Sequence, residues 1–175
     1  WRAELISYPQ ADQPESFSIE SNLTGIAIDL PAPLGKPAAD SRELRLDFQL
    51  PPENAPLQKL QLDYGNIMSA QYRDEGLAIQ FGHGSNPSPV AGRIDISGQT
   101  DTLVLDDWVA LLLDQPAFNT VTDPGNAWQF HVDLNANRLL VYGQMFDATG
   151  LKLFQQPEHW QLNFTAPDIA GNIRI

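Results

Sequence analysis

The chain has 175 residues, of which 42% are hydrophobic and 18% charged, with a net charge of −12 and no cysteine. That length suits one domain, able to bury roughly 70% of its unfolded surface without staples. The acidity argues against nucleic acid and anionic surfaces as partners, since no Lys/Arg cluster offsets it, and the missing thiols exclude disulfides, thiolate metal sites and a cysteine nucleophile.

No apolar run approaches the ~18 residues that a membrane-spanning helix needs. The chain opens on Trp1 and stops at Asn172-Ile173-Arg174-Ile175, which reads as mid-strand. Residues 1–175 are therefore expected to be a single β domain taken from a longer protein.

In chain order, Phe17, Ile19 and Leu23 occupy odd positions, while Ile26, Ile28 and Leu30 occupy even ones. The apolar phase flips across Thr24-Gly25, and a one-residue slip would turn the apolar face to solvent. A β-bulge at Gly25 absorbs the slip, or else a tight turn does; a bulge would also bend the strand. Pro31 and Pro33 then end the ladder, because proline has no N–H to donate.

Strict alternation follows at Leu44, Leu46, Phe48 and Leu50, then at Leu60, Leu62 and Tyr64, then at Leu77, Ile79 and Phe81. Ile94 and Ile96 alternate with Arg93, Asp95 and Ser97; Trp128, Phe130, Val132 and Leu134 alternate with Gln129, His131, Asp133 and Asn135. Trp160, Leu162, Phe164 and Ala166 close the series before Pro167. Period two is the mark of half-buried strands. Roughly ten such strands, with Pro and Gly between them, predict an all-β, antiparallel domain. One segment differs. Residues 106–114, DDWVALLLD, lack alternation and predict a short helix packed on the sheet, capped by Asp106 or Asp107, with Trp108 and Leu111 or Leu112 on one face, and stopped by Pro116.

The chain is poor in catalytic chemistry. His83, His131 and His159 are not at ligand spacing, and HExxH, GxSxG, a P-loop and GxGxxG are all missing. Gly82-His83-Gly84 is a turn with no helix after it. The acidic residues read as solvated strand faces and loops, and Asp106-Asp107 as a cap, so no enzyme, metal or cofactor is expected. Asn22-Leu23-Thr24 and Asn163-Phe164-Thr165 match the glycosylation pattern, but both read as lying inside strands.

The stretch FSIESNLTGIAIDLPAPLGKPA, Phe17 to Ala38, resembles a characteristic segment of the YhdP proteins, within the AsmA-like, TamB-related group of Gram-negative bacteria. VAGRIDISGQTDTLVLDDWVALL, Val90 to Leu112, and HWQLNFTAPDIAGNIRI, His159 to Ile175, are similar to two further blocks of that family. Residues 113–158 add only strand pattern.

The resemblance implies a long periplasmic parent, anchored in the inner membrane by parts outside this chain, that moves phospholipid between the inner and outer membranes. It implies curved antiparallel sheet forming a half-pipe or groove with an apolar inside. Phospholipid acyl chains and neighbouring repeats of the parent are the partners it implies. Gly25, Gly92, Gly98 and Gly143 are candidate bends. The lipid-facing candidates are Phe48, Leu62, Ile79, Phe81, Ile94, Ile96, Phe130, Val132, Leu162 and Phe164, some of which could instead pack under the helix or between sheets. Lys36 and Arg42 read as balancing nearby acids rather than as head-group contacts. Two other readings stay open. A β-sandwich would make the same residues a core and the domain a scaffold or interaction module. A carbohydrate-binding domain would expose Trp1, Trp108, Trp128 or Trp160, although Trp128 and Trp160 each open an apolar series and are expected to be buried.

Overall fold

The structure, a computed structural model, describes residues 2–6, 15–50, 59–84, 88–113, 128–155 and 159–174. Among them are eleven strands and one helix: β1 (Arg2–Ile6), β2 (Glu15–Ser21), β3 (Leu44–Leu50), β4 (Lys59–Tyr64), β5 (Met68–Arg73), β6 (Gly76–Phe81), β7 (Arg93–Val104), α1 (Leu105–Leu113), β8 (Gln129–Val141), β9 (Gln144–Gln155), β10 (Trp160–Ala166) and β11 (Ile169–Arg174). All eleven strands belong to one open sheet whose spatial order is the chain order. β1 and β11 are its edges, and the sheet does not close into a barrel. Trp1, Asp114, Pro116, the turn residues 85–87 and the Leu112 side chain lie outside the described residues.

The alternation read from the sequence sets the two faces. Apolar side chains of neighbouring strands meet as direct partners, as in Phe17↔Phe48, Phe48↔Leu60 and Leu62↔Ala70. Eight of the ten pairs are antiparallel, and four of these are hairpins closed by connections of two or three residues. Asp74-Glu75 and Tyr142-Gly143 take the two positive φ angles that a tight two-residue hairpin needs. Two pairs depart from the expected antiparallel pattern: β6·β7 and β7·β8 are parallel. Alternation is the same in both kinds of pair, so period two cannot separate them. A parallel partner requires the chain to travel back to the strand's starting end. Helix α1 begins that return between β7 and β8. It covers 105–113 rather than 106–114, and the Asp106 carboxylate accepts the backbone N–H of Tyr142 at 2.7 Å, tying α1 to the β8–β9 turn.

The stretch after β2 corrects the sequence reading. β2 ends at Ser21, and of the two options at Gly25 the tight turn is the one adopted: Leu23 and Gly25 have φ of 51° and 84°, and the Ile26 N–H returns to the Leu23 carbonyl. Ile26, Ile28 and Leu30 therefore leave the sheet. They form a loop, 22–43, pinned by the bridge Ile28↔Lys36. Asn22, of the first glycosylation pattern, is exposed in this turn, while Asn163 lies within β10.

Lys36 and Arg42 hold the loop in shape. Lys36 is 4% exposed, and its Nζ donates to the carbonyls of Ile26, Pro37 and Asp40 at 2.5–3.1 Å. The Arg42 guanidinium reaches the carbonyls of Pro33, Leu34 and Gly35 and stacks over the Tyr64 ring at 5.0 Å. Both cations serve backbone carbonyls rather than acids, which corrects the charge-balance expectation. At the loop tip the Ala32 carbonyl accepts the indole N–H of Trp108 in α1 at 2.9 Å.

The apolar phase does flip, but elsewhere and in three strands together. Buried positions change from even to odd between Thr100 and Leu103 in β7 and between Ala136 and Leu139 in β8. In β9 they change between Phe146 and Thr149, where Ala148 has φ 46°. Asn137 and Arg138 both donate to the Asp101 carboxylate at this level. The flip keeps Leu103, Ala136, Leu139 and Leu151 in one buried cluster under Trp108 and Leu105 of α1. Of the expected glycine bends, Gly25, Gly92 and Gly143 lie in turns outside the strands; only Gly98 lies within one.

Candidate functional site

The candidate site is the apolar face of the sheet, and the register defines it. Ala3, Ile19, Leu46, Leu62, Ala70, Ile79, Ile96, Val132, Leu153, Leu162 and Ile173 are successive partners from β1 to β11. This row is apolar on every one of the eleven strands. Ten interstrand steps of about 4.8 Å make it about 48 Å long. Side chains two residues away on each strand form parallel rows on either side of it.

All ten sequence candidates lie on this one face. Leu62, Ile79, Ile96, Val132 and Leu162 belong to the central row; Phe48, Ile94 and Phe130 to the row on one side, and Phe81 and Phe164 to the row on the other. All ten are half-buried. The structure therefore brings the candidates together, and the described residues do not enclose them. Sequence reading did not single out Leu153 or Ala70. Leu151 and Leu153, alternating with Lys152, carried a usable signal; Ala70, among Met68, Ser69 and Gln71, carried almost none.

The face is covered unevenly. At the end where β2, β4, β6, β7 and β8 finish, the loop lies over Tyr64, which is 5% exposed and donates its hydroxyl proton to the Leu34 carbonyl at 2.8 Å. Alongside, α1 lies over Leu103 and Leu139. The half of the face toward the other strand ends, with Phe48, Ile94 and Phe130, has no such cover among the described residues.

The opposite face is polar and internally paired. Arg45 bridges Asp47 and Glu20, Asp95 meets both Arg93 and His131, and Lys152 meets Asp133. The hydrogen bond from Arg45 holds the Asp47 carboxyl below the usual carboxylate range, and Arg138 does the same for Asp101. A cavity of about 310 Å³ opens over β1–β4, but its Arg45 is already engaged by two carboxylates. Among the described residues no group of three His, Cys, Asp or Glu could hold a metal ion. No helix among them is long and apolar enough to cross a membrane.

The family model of the YhdP protein matches residues 1–175. The chain belongs to the YhdP family. No curated protein and no solved structure matches it. In this YhdP-family chain Trp108, Trp128 and Trp160 join the apolar face rather than standing clear of it. The Trp128 ring lies 6.5 Å from Tyr72 and the Trp160 ring 5.9 Å from Phe130, and both tryptophans are half-buried. Trp108 packs on the cluster under α1. An exposed aromatic platform for sugar rings is not what these three residues form.

Proposed function

We propose that this chain supplies one section of an apolar path for phospholipid acyl chains, within an envelope protein that carries lipid between the inner and outer membranes. The observation that carries the reading is the central row, apolar on all eleven strands, half-buried from Ile19 to Leu162 except at the buried Ala70, and exposed at the edge strands. A sandwich core would cover such a row with a second sheet, and the described strands all belong to one. Each acyl methylene kept from water contributes about 0.8 kcal/mol, and apolar contact has no preferred direction. A chain can then slide from strand to strand without breaking hydrogen bonds, its head group in water at the open side. No part of this role needs a nucleophile, a metal or a cofactor. Neighbouring sections of a longer parent would extend the path beyond both sheet edges.

Native mass spectrometry with lipid extraction tests the reading, on the chain purified gently from a Gram-negative host. Co-purifying phospholipid is expected, lost in Phe130→Asp and Phe81→Asp variants that stay folded by circular dichroism. A bare protein mass, with no uptake from added phospholipid vesicles, overturns it.

A further inference from the structure

Loop 22–43 carries most of the family-like stretch Phe17 to Ala38, and beyond the end of β2 that stretch adds no strand to the sheet. Its construction is that of a rigid piece. Lys36 ties three carbonyls together, Arg42 ties three more, and Tyr64 anchors the whole to β4. Helix α1 is a second rigid piece, fixed to β8 and its neighbours by Trp108 and Leu105 and to the β8–β9 turn by Asp106. The two pieces stand over the same end of the apolar face, one above β4 and the other above β8. Between them β5 and β6 present Met68 and Phe81. The indole N–H of Trp108 joins the pieces by donating to the Ala32 carbonyl. Six side-chain bonds to carbonyls hold the loop, and apolar packing with the Asp106 bond holds the helix, whereas a single hydrogen bond joins the two among the described residues, so the junction is where the cover parts first.

We propose that the Trp108–Ala32 contact is a latch that gates sideways access to the apolar face. Closed, loop and helix shield the flank bearing Tyr64, Met68 and Phe81. Parted, they add this flank to the half that is already open, and an acyl chain can pass in from the side. The inference rests on the lipid reading above and adds its regulation.

The absence of native cysteine makes the test clean. In an Ala32→Cys/Val109→Cys variant the two thiols flank the latch at exposed positions and can be joined by a short bismaleimide. Uptake of pyrene-labelled phosphatidylethanolamine from phosphatidylethanolamine/phosphatidylglycerol vesicles is then followed by fluorescence, for linked and unlinked protein. Severalfold slower uptake by the linked form than by the unlinked form is expected, the remainder being carried by the half of the face that is open in both. A Trp108→Phe variant, which keeps the ring and loses the donor, should take up the probe roughly fivefold faster, the equivalent of one hydrogen bond. Equal uptake by linked and unlinked forms overturns the latch and leaves the lipid path standing. No uptake by any form, the unaltered chain included, overturns the path and the latch with it.

Discussion

Lys36 shows what a single residue does in this fold. An ammonium is rarely taken out of water without a partner, because its desolvation cost is large. Here three carbonyls replace its hydration shell, one for each N–H. The same bonds satisfy carbonyls in a loop that has no strand partner beyond the Ile28↔Lys36 bridge. Replacement by methionine keeps the length and removes the donors. Losing three charge-assisted bonds at about 1 kcal/mol each, Lys36→Met should destabilise the chain by about 3 kcal/mol. The urea midpoint measures this; an unchanged midpoint would show that the loop stands without its lysine.

At the scale of elements, β7 is the strand with most demands on it. It is parallel to both neighbours, and its Gly98 sits at φ 113° against the Phe81 carbonyl of β6. A methyl group there would overlap that carbonyl and hold an unfavourable φ, so Gly98→Ala should cost about 2 kcal/mol or more. By contrast, Gly92 has open space around its missing Cβ, and Gly92→Ala should cost only the smaller strain of its φ of 71°. Thermal midpoints of the two variants compare them directly. The strands were legible because alternation is local: Leu44 to Leu50 and Trp160 to Ala166 declare their faces within seven residues. Strand direction was not, because Ile94 and Ile96 alternate alike in either orientation. The loop was misread for a similar reason. Ile26, Ile28 and Leu30 keep strand period, and the turn that detaches them depends on a positive φ at Leu23, a residue type that does not announce it. The ten face residues were legible as one set, whereas their half-cover by loop and helix depends on Trp108 meeting Ala32 across 76 positions.

At the scale of the whole molecule, the cost of a charge tells an open face from a core. The central row and the cluster under α1 are both apolar, but the row is mostly left part-exposed and the cluster is covered: Leu139 is 4% exposed, while Ile96 is half-buried. A carboxylate at Ile96 can stay partly hydrated on an open face, so Ile96→Asp should cost about 1–2 kcal/mol, with m unchanged. In a sealed core the same charge would be stripped of water, and the loss would exceed ~4 kcal/mol, enough to threaten folding. Leu139→Ala, under the helix, calibrates the covered end at about 3 kcal/mol. The order of the two losses is therefore the informative quantity. If Ile96→Asp is the milder change and yet abolishes phospholipid capture, the row works by being continuous and exposed, since one charge interrupts a path it barely destabilises. If Ile96→Asp unfolds the chain while Leu139→Ala does not, the face is sealed in solution, and the apolar row is a core that no lipid reaches.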